Sequence, residues 1–137
     1  MDVVSRLTAR KPSDWFSKES FTLLAPDGQA NVIYSSEPLD PTIDTDHYAS
    51  VQGELLEREF PGYRQHGELE EYGIGNVSGR LREFSWTPPD GVTVRQIQLY
   101  AAYDGQGWTA TATTPEEHYP AVRQQLMAIL STIAVRA

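Results

Sequence analysis

A chain of 137 residues is the size of one domain and can bury roughly two-thirds of its unfolded surface, so its core needs no covalent staple. Eleven Lys and Arg against nineteen Asp and Glu leave a formal net charge of −8, which speaks against nucleic acid or an anionic membrane surface as a partner. There is no cysteine, and that excludes disulfides, thiolate nucleophiles and Cys-based metal centres.

The first twenty residues contain no apolar run longer than Val3–Val4, too short for the roughly 7–15 apolar residues of a secretory leader. No stretch approaches the ~20 apolar residues of a membrane helix. The expectation is a cytoplasmic protein that does not insert into a membrane. Residues 1–14 read as a polar N-terminal arm, and residues 15–137 as a single domain.

Phe21 to Leu24 is the first apolar run, and Pro26-Asp27-Gly28 is a turn in which proline presets φ and glycine accepts a positive one. Ala30 to Ser36, rich in β-branched and aromatic residues, completes a short hairpin. After the acidic loop Pro38–Asp46, Asp44 or Thr45 can cap a helix. That helix carries Tyr48, Val51, Leu55 and Leu56 at helical spacing and ends at Phe60-Pro61-Gly62.

From Tyr63 the period changes to two. Gly67 to Tyr72 reads as a short edge strand. Val77 to Thr87 and Thr93 to Tyr103 are long strands joined by Pro88-Pro89-Asp90-Gly91, and Asp104-Gly105-Gln106-Gly107 turns into Trp108 to Thr113. Gly75 and Gly79 suggest a bulge or a close backbone approach. A final helix carries Val122, Leu126, Ile129, Leu130 and Ile133 on one stripe. Thr114-Pro115-Glu116-Glu117 matches a capping box, while Pro120 offers a second start near Tyr119. The order β-β-α-β-β-β-β-α predicts an α+β fold, an antiparallel sheet with two main helices packed on it. Val51, Leu55, Val122, Leu126, Ile129 and Leu130 are the expected core of those helices.

Catalytic patterns are missing. His47, His66 and His118 have no metal-type spacing, and Asp44-Thr45-Asp46-His47 reads better as a helix entrance whose carboxylates suit the positive helix end. Ser78 is in no nucleophile elbow, and the glycines at 73, 75 and 79 precede a strand rather than a phosphate-binding helix. The paired carboxylates Glu57/Glu59 and Glu70/Glu71 read as solvated faces. Neither an enzymatic activity, a metal nor any other cofactor is expected.

The long strands instead carry side chains for binding. Alternation puts Arg80, Arg82, Phe84 and Trp86 on one face, opposite Leu81, Glu83 and Ser85. Ile97, Leu99 and Ala101 likewise oppose Gln96, Gln98 and Tyr100. One face should take the helices and leave the other as a part-apolar surface open to a partner.

Trp15 with Ser20-Phe21-Thr22-Leu23, Ser35-Ser36-Glu37-Pro38-Leu39 and Phe60-Pro61-Gly62-Tyr63 resemble the amino half of the DcrB-like/Eag family. Gly79-Arg80, Phe84-Ser85-Trp86, Gln96 to Tyr100, Trp108 to Thr113 and Ile129-Leu130-Ser131 resemble its carboxy half, so the likeness spans about residues 15–133. It implies a PsbP-like α/β/α sandwich without enzymatic activity. The Eag members are cytoplasmic chaperones, usually dimers, that bind apolar amino-terminal segments of type VI secretion effectors. The resemblance thus implies an adaptor or chaperone that covers an apolar segment of a secreted or membrane-destined effector. Phe21 and Leu23 fall at the client-groove positions, and a homodimer is implied. The alternative is an interaction or small-ligand-binding protein on the same fold.

Overall fold

The structure is a computed structural model, and it describes residues 8–135; residues 1–7 of the expected arm lie outside the described part. Ser20–Leu24 (β1) and Asn31–Pro38 (β2) form the first hairpin, followed by helix α1 (Thr45–Glu59). The two-residue strands Arg64–Gln65 (β3) and Glu70–Glu71 (β4) precede three long ones, Arg80–Trp86 (β5), Val94–Tyr103 (β6) and Gln106–Pro115 (β7). A single 3-10 turn, Glu116–His118, leads into α2 (Tyr119–Leu130). All seven strands form one antiparallel sheet in the order β1-β2-β7-β6-β5-β3, with β4 also on β5. The expected edge strand over Gly67–Tyr72 is reduced to β4, and β3 is an additional strand beside it.

The two faces of the sheet are chemically different, and each takes one helix. On the α2 face, Val32, Leu81, Ile97, Leu99, Ala101, Ala110 and Ala112 form an apolar floor that Tyr119, Leu126 and Leu130 cover. The opposite face carries Arg82, Phe84, Gln96, Gln98 and Tyr100 together with the threonines of β7, and α1 packs there through Tyr48, Ala49 and Leu56. The expectation that both helices share one face is corrected. A polar face can still dock a helix when its groups are satisfied by hydrogen bonds.

Those bonds fix α1 in place. Asp44 caps it, its carboxylate accepting from the His47 amide at 2.8 Å. The Thr45 hydroxyl accepts from the Ala102 amide at 3.0 Å, and the Tyr48 hydroxyl lies 3.0 Å from that of Thr109. Arg82, 5% exposed, donates from Nη1 to the Ala49 carbonyl at 3.2 Å and to the Tyr100 hydroxyl at 2.9 Å. Its Nη2 approaches the helix where residue 53 is glycine; a Cβ there would sit 2.6 Å from that nitrogen. Gly79 has the close approach its position suggests, since it packs under the Tyr72 and Tyr100 carbonyls.

Three details depart from the sequence reading. Val51 is 46% exposed, and Leu56 rather than Leu55 is the buried residue. Val51 and Leu56 are five residues apart, about 140° around a helix, so both cannot face the sheet. Thr114 does not cap α2: it is 1% exposed, and its hydroxyl donates to the Gln29 carbonyl at 3.1 Å. Finally, α2 ends at Leu130, where Ser131 and Thr132 turn their hydroxyls back onto the Ala128 and Ile129 carbonyls. Ile133 therefore packs on the core from the tail rather than from the helix.

Leu126→Ala should cost about 2–5 kcal/mol, the range for a buried leucine, whereas Val51→Ala should change stability by less than about 0.5 kcal/mol; urea unfolding of both distinguishes the stripes. Gly53→Ala sets a gain in helix propensity of up to about 1 kcal/mol against displacement of Arg82. A net loss of about 1–2 kcal/mol is expected, because the displaced guanidinium leaves buried donors unpaired. A more stable variant would show that Arg82 yields freely.

Candidate binding strip on the edge strand

β1 is an edge strand, paired through Ser20–Leu24 with β2 on one side only. Such an edge presents unpaired backbone groups to solvent and can accept another extended segment. Its side chains alternate. Phe21 and Leu23 are half-buried and point to the α2 face, while Leu24 projects from the other, 74% exposed.

The register brings aromatic residues together on the α2 face. Phe21 pairs with Tyr34, and their rings meet edge to face at 6.1 Å. Tyr34 then lies 6.0 Å from Trp108, which β7 supplies. All three are half-buried, a strip running inward from the free edge. Its inner end is a small apolar hollow among Ile74, Leu99, Ala110, Ile133 and Val135. Burial, reinforced by the negative charge of Glu19, pushes the Tyr34 phenol up to about 12, so it remains a neutral hydroxyl. The Trp108 indole N–H is buried and has no acceptor among the described residues.

Leu23 also packs against the core cluster, so its role is partly structural. The sequence pattern placed Phe21 and Leu23 on one face, and the structure adds Tyr34 and Trp108 to them. Tyr34 shares the face of Val32 by simple alternation. Its meeting with Trp108 depends on pairing between residues more than seventy positions apart, which local spacing does not reveal.

The other face has an uncharged patch beside α1. The Trp86 indole donates to Gln96 at 2.7 Å, Gln96 donates to Thr113 at 2.8 Å, and Gln98 donates to Thr111 at 3.2 Å. These rungs mutually satisfy most of the polar groups. Ile33, 41% exposed, and Leu24 lie at the margin of the patch.

Several other titratable residues are engaged elsewhere. Asp44 caps α1, and Asp46 binds the Arg80 guanidinium at 2.8 Å. Among the described residues, no three His, Asp or Glu side chains are grouped so as to hold a metal. His118 meets Glu117 at 3.5 Å, both well exposed. His66 Nε2 lies 2.8 Å from the Ser85 hydroxyl, but Ser85 is only 7% exposed, which closes it to a substrate.

These features describe an antiparallel α/β/α sandwich with an apolar strip at an open edge. The chain belongs to the DcrB family, whose model matches residues 12–132. Among solved structures it is similar to PA94 of Pseudomonas aeruginosa, a protein of unknown function for which a regulator role has been suggested. That match has a TM-score of 0.77 at 20% identity, covering 93% of this chain and 90% of the other. It is also similar to LpqN of Mycobacterium tuberculosis, involved in cell envelope biogenesis, with a TM-score of 0.56 at 17% identity, covering 82% of this chain and 66% of that one. At these identities the likeness establishes the fold. No curated protein sequence matches the chain. No helix among the described residues is long and apolar enough to cross a membrane.

His66 supplies a pH test. Burial, then Arg95, hold its imidazole below the ordinary value, with a further lowering by Arg64; Glu116 and Glu83 oppose them. A depressed folded-state pKa means that its contribution is present above about pH 6.5, the unfolded value, and is lost as pH falls through the folded one. The stability gap between wild type and His66→Gln should therefore narrow from pH 7.5 to pH 5 in urea titrations.

Proposed function

We propose that this protein is a non-enzymatic binding protein that covers an apolar segment of a secreted or membrane-destined protein partner, in the manner of the Eag chaperones it resembles. The observation that carries this reading is the Phe21–Tyr34–Trp108 strip, which continues from a half-buried groove to an unpaired strand edge. An apolar partner segment gains by burying its own side chains on these rings, and an extended one can also pair with the backbone of β1. The enclosed Ser85 and the absence of a metal-type cluster among the described residues suit a binding role. A cytosolic adaptor for a type VI secretion effector is the specific form the resemblance supports, with no nucleic acid involved.

A fluorescently labelled Leu/Ala peptide of about 20 residues, the length of an apolar membrane-type segment, tests the strip by anisotropy. Phe21→Glu should weaken binding at least tenfold with a melting temperature close to wild type, because Phe21 sits at the edge. Leu24→Glu, on the other face, should bind as wild type does. Equal binding by all three proteins, or none by wild type, overturns the reading.

A further inference from the structure

We propose that the segment of residues 8–19 preceding β1, called the arm from here on, docks through Trp15 and Phe16 into an acidic-rimmed groove on a second copy of this chain. This goes beyond the proposed function and concerns a different surface. Trp15 and Phe16 are adjacent and are 66% and 81% exposed, an arrangement that leaves large apolar area in water unless a partner covers it. They sit between cations. Lys11 and Lys18 are the only lysines in the chain, and Arg10 is beside them, against the single carboxylate of Asp14 in residues 8–18.

The groove has the opposite character. It lies between the loop entering α1 and the β6–β7 turn, with a volume of about 290 Å³. That is at the bottom of the roughly 300–1,000 Å³ range of small-molecule pockets, and suits an aromatic side chain better than a larger ligand. Leu39 and Ile43 give it apolar walls, while Asp40, Asp44 and Asp104 supply its negative rim. Gln106, also in the lining, has a buried Oε1 with no donor among the described residues. Shape and charge thus agree on the occupant.

Arm exchange by two copies makes a closed two-fold contact, since each contributes one arm and one groove. Glu19 pairs with Ser36, its amide donating to the Ser36 hydroxyl and its carbonyl accepting from the Ser36 amide. The arm therefore leaves the sheet at the end of β2 that leads into the groove loop, which places arm and groove at one end of each molecule. On its own chain both aromatic rings remain in solvent.

The lack of cysteine in the chain gives a clean test by oxidative cross-linking. Phe16→Cys in one full-length chain is mixed with Ile43→Cys in a second, distinguishable by a tag. A cross-linked heterodimer several-fold above that from Phe16→Cys with the distant Val92→Cys is expected. Adding Trp15→Ser to the first chain, or Asp40→Asn with Asp104→Asn to the second, should reduce it at least fivefold, with circular dichroism verifying that each variant is folded. A yield no greater than the Val92 control overturns the proposal. So does a chain carrying both Phe16→Cys and Ile43→Cys that closes only on itself, because the arm would then occupy its own groove.

Discussion

A positive charge placed under a helix governs the arrangement of this fold. Arg82 projects from the central strand β5 into the space beneath α1 and is 5% exposed. No carboxylate pairs with it among the described residues; a helix carbonyl, a tyrosine hydroxyl and the Tyr100 ring at 5.2 Å surround it instead. Burying such a group is costly unless its donors are met; Nη1 makes both hydrogen bonds, while Nε is buried without a partner among the described residues. The position of α1 is accordingly set by hydrogen-bond geometry, and Gly53 allows the helix to come close enough. The same contact orients Tyr100, whose hydroxyl donates to Gln98 Oε1, and Gln98 Nε2 then donates to Thr111. A chain of polar contacts runs from the helix across three strands.

The second face follows a simpler rule. Alanines on β7 and branched residues on β6 create a surface on which α2 settles by area burial, the non-directional part of stabilisation. The sheet thus separates its tasks. One face positions a helix by directed bonds, while the other supplies an apolar floor wider than α2. The excess width emerges at the β1 edge as the Phe21–Tyr34–Trp108 strip, where the fold and the proposed binding role meet.

Much of the architecture was legible in local sequence. The β5–β6–β7 meander follows from period-two runs and their turns, and the Asp44 cap from a short acceptor side chain before a helical stripe. Even the face assignments of β5 and β6 were readable, because alternation is a property of the backbone. Two of the errors have a common cause. Val51 and Thr114 belong to locally reasonable patterns, yet each was reassigned by a contact distant in sequence: the side of α1 that meets the sheet, and the Gln29 carbonyl.

By itself the sequence determined the five longer strands, the two helices, the residues sharing each face of β5 and β6, and the side of β1 that carries Phe21 and Leu23. These depend on φ/ψ preference and periodicity, which act over a few residues. Only the tertiary structure decided that the helices lie on opposite faces, that Arg82 is buried, and that Tyr34 and Trp108 extend the strip from Phe21. Those outcomes depend on which strands become neighbours. Strand neighbourhood is settled by the burial and hydrogen bonding of the whole sheet together, and no single segment encodes it.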